Sequence, residues 1–272
     1  MFSVICCANH PEIFARVLAP SLRAQVPHQF LLRMNTPDDN QPCPVVLNRL
    51  AREATAERLL FVHQDMRLFE GALAMLHDKL EALDDAWGPV GITGAAGATP
   101  DGWLHDGCCE PQHYKAYHVG VHTLDECFFG CRREILEAAG GFCEVPELSW
   151  HGYGAELCQR VARMGYRNYA VQALAWHVGP HQASSLHMST LRAAQAWIAR
   201  RTREPVATSG GVLKSIPSGR ASQALAMALL ERSTPTAPEP APLRAARTDH
   251  RTEWTEQGRH LLGRCPGDEA KR

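Results

Sequence analysis

Short apolar runs closed by polar or small residues alternate with segments whose apolar positions recur every third or fourth residue, through the first two-thirds of the chain. Unbroken or period-two apolar runs mark strands, and the 3.6 period marks helices with one buried face. Ser3 to Cys7 predicts a first strand. Phe14, Val17, Leu18 and Leu22 share a helical face behind Asn9-His10-Pro11-Glu12. Pro11 and Glu12 suit a first helical turn, and Pro20 must kink or shorten that helix. Phe30-Leu31-Leu32 predicts a second strand before a Pro/Asp/Asn loop at 35–44. Val46, Leu47 and Leu50 lead a helix to about Glu57, and the strand Arg58-Leu59-Leu60-Phe61-Val62 follows. Next come a helix over Leu68 to Leu83, a strand Val90-Gly91-Ile92-Thr93-Gly94, an irregular stretch at 98–118 and an extended segment Val119 to Leu124. Phe128 to Cys131 predicts a strand running into a helix Arg132 to Ala139, stopped by Gly140-Gly141. Trp150 to Gly154 introduces a helix Ala155 to Met164 ended by Gly165, and Tyr169 to Trp176 is a last strand ending at His177.

This order predicts an α/β fold with a mainly parallel sheet covered by helices. After about Pro205 the pattern is lost. Ser209-Gly210-Gly211, Pro217-Ser218-Gly219 and the Pro/Ala/Thr stretch at 234–245 read as linker, with room for a short helix over Ala221 to Arg232. The expected division is a folded domain over 1–204 and a weakly packed tail over 205–272.

Composition narrows the function classes. The 272 residues are 45% hydrophobic and 21% charged, enough for one large soluble domain with a substantial core. A formal net charge of −1 advertises no basic face, so nucleic acid is not an expected partner. No apolar stretch approaches the ~20 residues that span a bilayer. The N-terminus has no cationic segment and reads as a strand, not a signal peptide. Ten cysteines, with adjacent pairs Cys6-Cys7 and Cys108-Cys109, then suit reduced thiols in a cytoplasmic protein.

The chemistry concentrates at Phe61-Val62-His63-Gln64-Asp65, where an apolar run ends abruptly in a polar, potentially metal-binding triplet. In open α/β sheets ligands bind beyond the carboxyl ends of strands, so Asp65 stands where a nucleotide or metal is handled. A plain structural role stands beside each candidate: a helix cap for Asp65, a strand-end histidine for His63, a favourable helix-dipole contact for Glu156 and a turn cap for Asp125. His105, Cys108, Cys109, His113, His118, His122, Cys127 and Cys131 crowd one stretch and offer zinc-type ligands, although no CxxC spacing is present. Trp103, Tyr114 and Tyr117 suit either a loop that stacks a sugar ring or ordinary loop packing.

Four segments taken in order resemble one family. They are Val4-Ile5-Cys6-Cys7-Ala8-Asn9; Asn48 with Phe61-Val62-His63-Gln64-Asp65; Thr123-Leu124-Asp125-Glu126-Cys127-Phe128-Phe129 with Gly140-Gly141-Phe142; and His151-Gly152-Tyr153-Gly154-Ala155-Glu156-Leu157-Cys158 with Gly165-Tyr166 and His177. The chain resembles GT-A glycosyltransferases of family 2 type, in the branch similar to a streptomycin-biosynthesis protein domain. The resemblance spans residues 2 to 180 and rests on order and spacing. It implies a GT-A fold and transfer of a sugar, with inversion, from a nucleotide-diphosphate-sugar donor to an acceptor hydroxyl, assisted by Mn²⁺ or Mg²⁺. It implies Asp65 at the metal; His63 replaces the family's usual carboxylate, as a ligand or a supporting residue, and His177 stands to ligate the metal or touch the diphosphate. It places Ala8, Asn9, Asn35, Asn48 and Gln64 along the nucleotide, and Glu156 or Asp125 as the base. Two other classes stay open: a non-catalytic nucleotide-sugar-binding module and a zinc-stabilised interaction protein.

Overall fold

The computed structural model describes residues 1–96, 103–115, 118–178, 185–201, 206–208 and 211–213. The first strand, β1 (Phe2–Ala8), is followed by two short helices, α1 (Pro11–Arg16) and α2 (Leu18–Arg23). They part at Val17, because Pro20 has no N–H for the carbonyl of Arg16 and its ring crowds that turn. Then come β2 (Gln29–Met34), α3 (Cys43–Glu53), β3 (Arg58–Val62), β4 (Met66–Leu68) and α4 (Ala72–Glu81). The expected helix from Leu68 therefore starts later. Met66 and Leu68 alternate as buried strand residues, and Gly71, at φ 77°, turns the chain into α4.

The next strands are β5 (Trp87–Gly91), β6 (Thr93–Ala96), β7 (Trp103–Asp106), β8 (Cys108–Cys109), β9 (His118–Val121), β10 (Thr123–Leu124) and β11 (Phe128–Arg132). They are followed by α5 (Arg133–Ala138), α6 (Tyr153–Arg163), β12 (Arg167–Val171), β13 (Ala173–His177), α7 (Ser185–Ala199), β14 (Val206–Thr208) and β15 (Gly211–Leu213). Three expected strands, at 90–94, 119–124 and 169–176, are each cut in two, at Ile92, His122 and Gln172. In each case the halves join different sheets. The stretch at 98–118, expected to be irregular, holds β7 and β8. α7 was not expected: its buried Ala194, Ala196, Trp197, Ile198 and Ala199 form a run with no spaced stripe to announce a helix.

The main sheet has the order β2-β1-β3-β11-β5-β12-β9. Five of its strands point the same way, while β11 and β9 run against their neighbours. The side-chain period of two divides the core into two layers. Ile5, Leu59, Phe61, Phe129 and Cys131 face one layer, with Leu47 and Leu50 of α3, Ile135 of α5, Leu157 of α6 and Trp197 of α7. Val4, Cys6, Leu60, Val62 and Phe128 face the other, with Leu18 and Leu22 of α2 and Leu73, Leu76 and Leu80 of α4. A small sheet β4-β13-β8 and another, β10-β6-β7, flank the main one.

All described residues fall in one compact unit, Met1–Ala226. The pairing of β14 with β15, and the contact of β14 with β6 and β10, carry described structure past the expected boundary at 204. Residues 214–272, including the expected short helix at 221–232, lie outside the described residues.

Candidate functional site

Strand pairing assembles the site. β3 ends at Val62, and the backbone N–H of His63 donates to the carbonyl of Cys127 at 2.9 Å, which carries the triplet past the sheet. A tight turn follows, with the N–H of Met66 donating to the carbonyl of His63 at 3.1 Å. β4 then pairs antiparallel with β13, bringing Met66 opposite His177. The N–H of Val178 donates to the carbonyl of Asp65 at 2.9 Å. Thus His177, more than a hundred residues away in sequence, stands beside Asp65: Nε2 to Oδ2 is 3.3 Å. The rings of His63 and His177 are 6.0 Å apart. One donor atom from each of His63, Asp65 and His177 lies within 4.8 Å of the others.

The electrostatics suit a cation. Burial would raise the carboxyl pKa of Asp65, but the hydrogen bond from His177 and the charges of His177 and His63 outweigh it and hold it down at about 2. Burial pushes the His63 imidazole below its ordinary value, partly offset by the Asp65 charge. An ionised carboxylate and a neutral imidazole are the forms that bind metal. Two imidazoles and one carboxylate form a mixed N/O set that suits Mn²⁺ better than Mg²⁺, which prefers oxygen. By its own donor chemistry the cluster therefore fits a divalent ion.

The triad opens on a cleft of about 430 Å³ lined by Cys7, Asn9, Asn35, Asn40, Cys43, His63, Gln64, Asp65, Trp150, His151, Tyr153 and Thr190. Gln64 fastens the loop after β1: its Oε1 accepts from the N–H groups of Asn9 and His10 at 2.9 and 2.8 Å, and its Nε2 donates to Asn9 Oδ1 at 2.6 Å. Asn35 is buried and shapes the next loop, its Nδ2 donating to the carbonyl of Gln41 at 2.7 Å and its Oδ1 accepting from that residue's N–H at 2.9 Å. Asn9, Asn35, Gln64, Asp65 and His63 thus share one cleft, and His177 adjoins it through Asp65.

Four expected residues do not line it: Ala8, Asn48, Glu156 and Asp125. Ala8 is fully buried in the layer of α2 and α4, and its carbonyl accepts from the N–H of Asn35 at 2.6 Å. The alternation of β1 presents Cys7 to the cleft instead. Asn48 clamps the loop after α5: it donates to the Phe142 carbonyl at 2.9 Å and to Glu144 Oε1 at 2.8 Å, and accepts from the Phe142 N–H at 2.7 Å. Glu156 faces away from the cleft as well. Its two oxygens accept from Nε and Nη2 of Arg160, each at 2.7 Å. Arg160 continues to the carbonyls of Ala139 and Gly141. Asn48 and Glu156 line a second cavity of about 690 Å³ among α3, α5 and α6. Glu156 stands one turn along α6 from Tyr153, and its ion pair with Arg160 holds the carboxylate at the second cavity.

Asp125 takes the N–H of Cys127 at 3.0 Å, the turn-capping bond, and lies within electrostatic reach of His63. Its neighbour Glu126 is partly buried and carries a large shift of acidity. Burial and the Asp125 charge push the Glu126 carboxyl up to about 8, against the pull of backbone N–H groups. One of these, Gly154 N–H at 3.0 Å, belongs to the first turn of α6. Nothing in the local pattern marks Glu126 as a tertiary helix cap. Nor does it mark Asn40, Cys43, Trp150, His151 or Thr190 as cleft residues; only the packing of separate loops and helices brings them there. Tyr114 packs under the Lys79 ammonium, 4.8 Å from its ring centre, and not on the cleft. Tyr117 and the Trp103 side chain lie outside the described residues. Among the described residues, those of the His/Cys stretch at 105–131 form no metal cluster, since β8 joins a small sheet while β9 and β11 stand apart in the main one, with β5 and β12 between them.

No family model and no curated protein matches the chain. Solved structures do. The mannosyltransferase PcManGT from Pyrobaculum calidifontis, solved with GDP-Man and Mn²⁺, superposes with a TM-score of 0.52 at 15% identity over 96% of this chain and 84% of its own. The fold is GT-A. GalNAc-T7, solved with UDP, GalNAc and Mn²⁺, gives a TM-score of 0.51 at 12% identity over 72% of this chain, which spans 48% of that longer protein. Among the described residues of this GT-A chain, no helix is long and apolar enough to cross a membrane.

Proposed function

We propose that the protein transfers a sugar from a nucleoside-diphosphate donor to an acceptor hydroxyl, with Mn²⁺ or Mg²⁺ held by Asp65, His63 and His177. The observation that carries this reading is the convergence of those three side chains at a strand-end cleft of a GT-A fold. A bound cation would act there as a Lewis acid on the departing diphosphate. The chain's own residues do the rest. Asp65 supplies the fixed negative charge, while Gln64 and Asn35 hold the two loops that border the nucleotide. Trp150, His151, Tyr153 and Thr190 form the facing wall, where the sugar is oriented and water excluded.

Of the two expected bases, Glu156 is engaged by Arg160, and Asp125 is the one within reach of His63. Asp125 is therefore the base in this reading, with inversion at the sugar carbon. The finer assignments belong to the same proposal. Hexosyl transfer and the family 2, streptomycin-biosynthesis-like branch rest on the four sequence segments, and a cytoplasmic setting rests on the free thiols of the nine described cysteines.

Titration calorimetry with UDP- and GDP-sugars, with and without Mn²⁺, tests the reading. Asp65→Ala is expected to weaken Mn²⁺-dependent donor binding at least about tenfold, and undiminished binding would remove Asp65 from the site. Donor hydrolysis without acceptor separates an enzyme, which releases sugar, from a module that only binds.

A further inference from the structure

Cys7 and Cys43 meet on the wall of the cleft, and nothing in sugar transfer uses them. Cys7 is the next-to-last residue of β1 and Cys43 the first of α3. Both are partly exposed, whereas Cys6, Cys109, Cys127, Cys131 and Cys158 are buried. Both side chains pack against the same core cluster. Cys43 Sγ also lies 3.6 Å from the Tyr153 hydroxyl, so α6 helps to fix its position. Its backbone is held from the other side, the Cys43 N–H donating to the Ser149 carbonyl at 2.9 Å.

We propose that Cys7 and Cys43 are a dithiol modification site in the cleft, converted reversibly to a disulfide by small-molecule disulfides such as oxidised glutathione. The surroundings divide the roles. The hydrogen bond from Cys43, then the cations of Arg33 and Arg49 and a hydrogen bond with Asn35, outweigh burial and lower the Cys7 thiol. The hydrogen bond to Cys7, burial and the Cys7 charge raise the Cys43 thiol, so it keeps its proton. Cys7 is thus the attacking sulfur and Cys43 the resolving one. The Cys7 thiolate attacks one sulfur of oxidised glutathione, expels a glutathione thiolate and leaves a mixed disulfide. Cys43 gives its proton to the expelled thiolate, attacks Cys7 Sγ and displaces the second glutathione thiolate, which takes a proton from water. Two protein thiols and one oxidised glutathione become one protein disulfide and two reduced glutathiones. The two electrons that the protein loses are those that the oxidant gains. Cys6, one residue away, faces the opposite layer, and its burial holds the thiol protonated.

The test is peptide mapping of the full chain held in a glutathione redox series, quenched with acid and alkylated. A Cys7–Cys43 linked peptide that dithiothreitol removes is expected. Cys43→Ala is expected to stop at a glutathione adduct on Cys7. In the reduced protein, iodoacetamide is expected to alkylate Cys7 at least about tenfold faster than Cys108 or Cys143 at neutral pH. Free Cys7 and Cys43 beside glutathione adducts at Cys108 or Cys143, or Cys7 linked to another cysteine, would overturn the proposal. Should Cys43→Ala fail to fold, the wild-type map decides alone. The mapping reads sulfur and not donor. A linked peptide in a protein that binds no nucleotide sugar would sink the proposed function and leave the dithiol site standing.

Discussion

Glu126 shows how one side chain ties stability to acidity. Its carboxyl, ordinarily near 4.5, is raised to about 8 in the folded protein. Between those values the folded chain holds a proton that the unfolded chain releases, so this group makes stability fall as pH rises through the interval. Glu126→Gln carries no such proton. The variant is expected to gain on the wild type steadily from about pH 5 to about pH 8 and to hold a constant margin above that. Urea unfolding at a series of pH values reads this, and a pH-independent margin would contradict it. Glu156 makes the opposite case, a charge that holds structure. Glu156→Gln leaves Arg160 short of its bidentate partner. A loss of about 2 kcal/mol in urea unfolding is expected, while Mn²⁺-dependent donor binding by the folded protein stays within about twofold. Strongly reduced donor binding with unchanged stability would return Glu156 to the site. The sequence offered Glu156 as a candidate base and Glu126 only within a resembling segment; the part each plays was illegible there, because each is defined by the group it meets across the fold.

At the scale of elements, the loop after α5 is set by backbone conformation. Gly140 and Gly141 have φ of 80° and 78°, and a Cβ at Gly141 would stand 2.7 Å from Asn48 Oδ1. Gly141→Ala therefore strains the backbone and displaces the Asn48 clamp together. A loss of about 2 kcal/mol or more is expected in the urea midpoint. The stop at Gly140-Gly141 was readable from sequence, as were β1, β3, α3 and α6, whose apolar positions keep one period throughout. The broken strands were not readable. Ile92, His122 and Gln172 lie inside runs that look continuous, and each break arises because the next residues pair with a different sheet.

For the whole molecule, every residue lining the cleft belongs to the compact unit that ends at Ala226. Removing residues 227–272 is expected to leave the thermal midpoint within about 2 °C and Mn²⁺-dependent donor binding intact. Scanning calorimetry and titration check this, and a large drop in either would assign the segment a part in the fold or the site. The sequence by itself determined the layered α/β architecture and the abrupt polar strand end at His63-Gln64-Asp65, since both are local matters of hydrophobic period and where it stops. Only the tertiary structure decided which polar residues share the cleft. His177 joins Asp65 because β13 pairs with β4, Cys7 replaces Ala8 because strand faces alternate, and Asn48 and Glu156 are held at a second cavity by the Phe142 backbone and Arg160. A period is written along the chain, whereas a site is made by register and rotation between distant elements, which no local window of sequence contains.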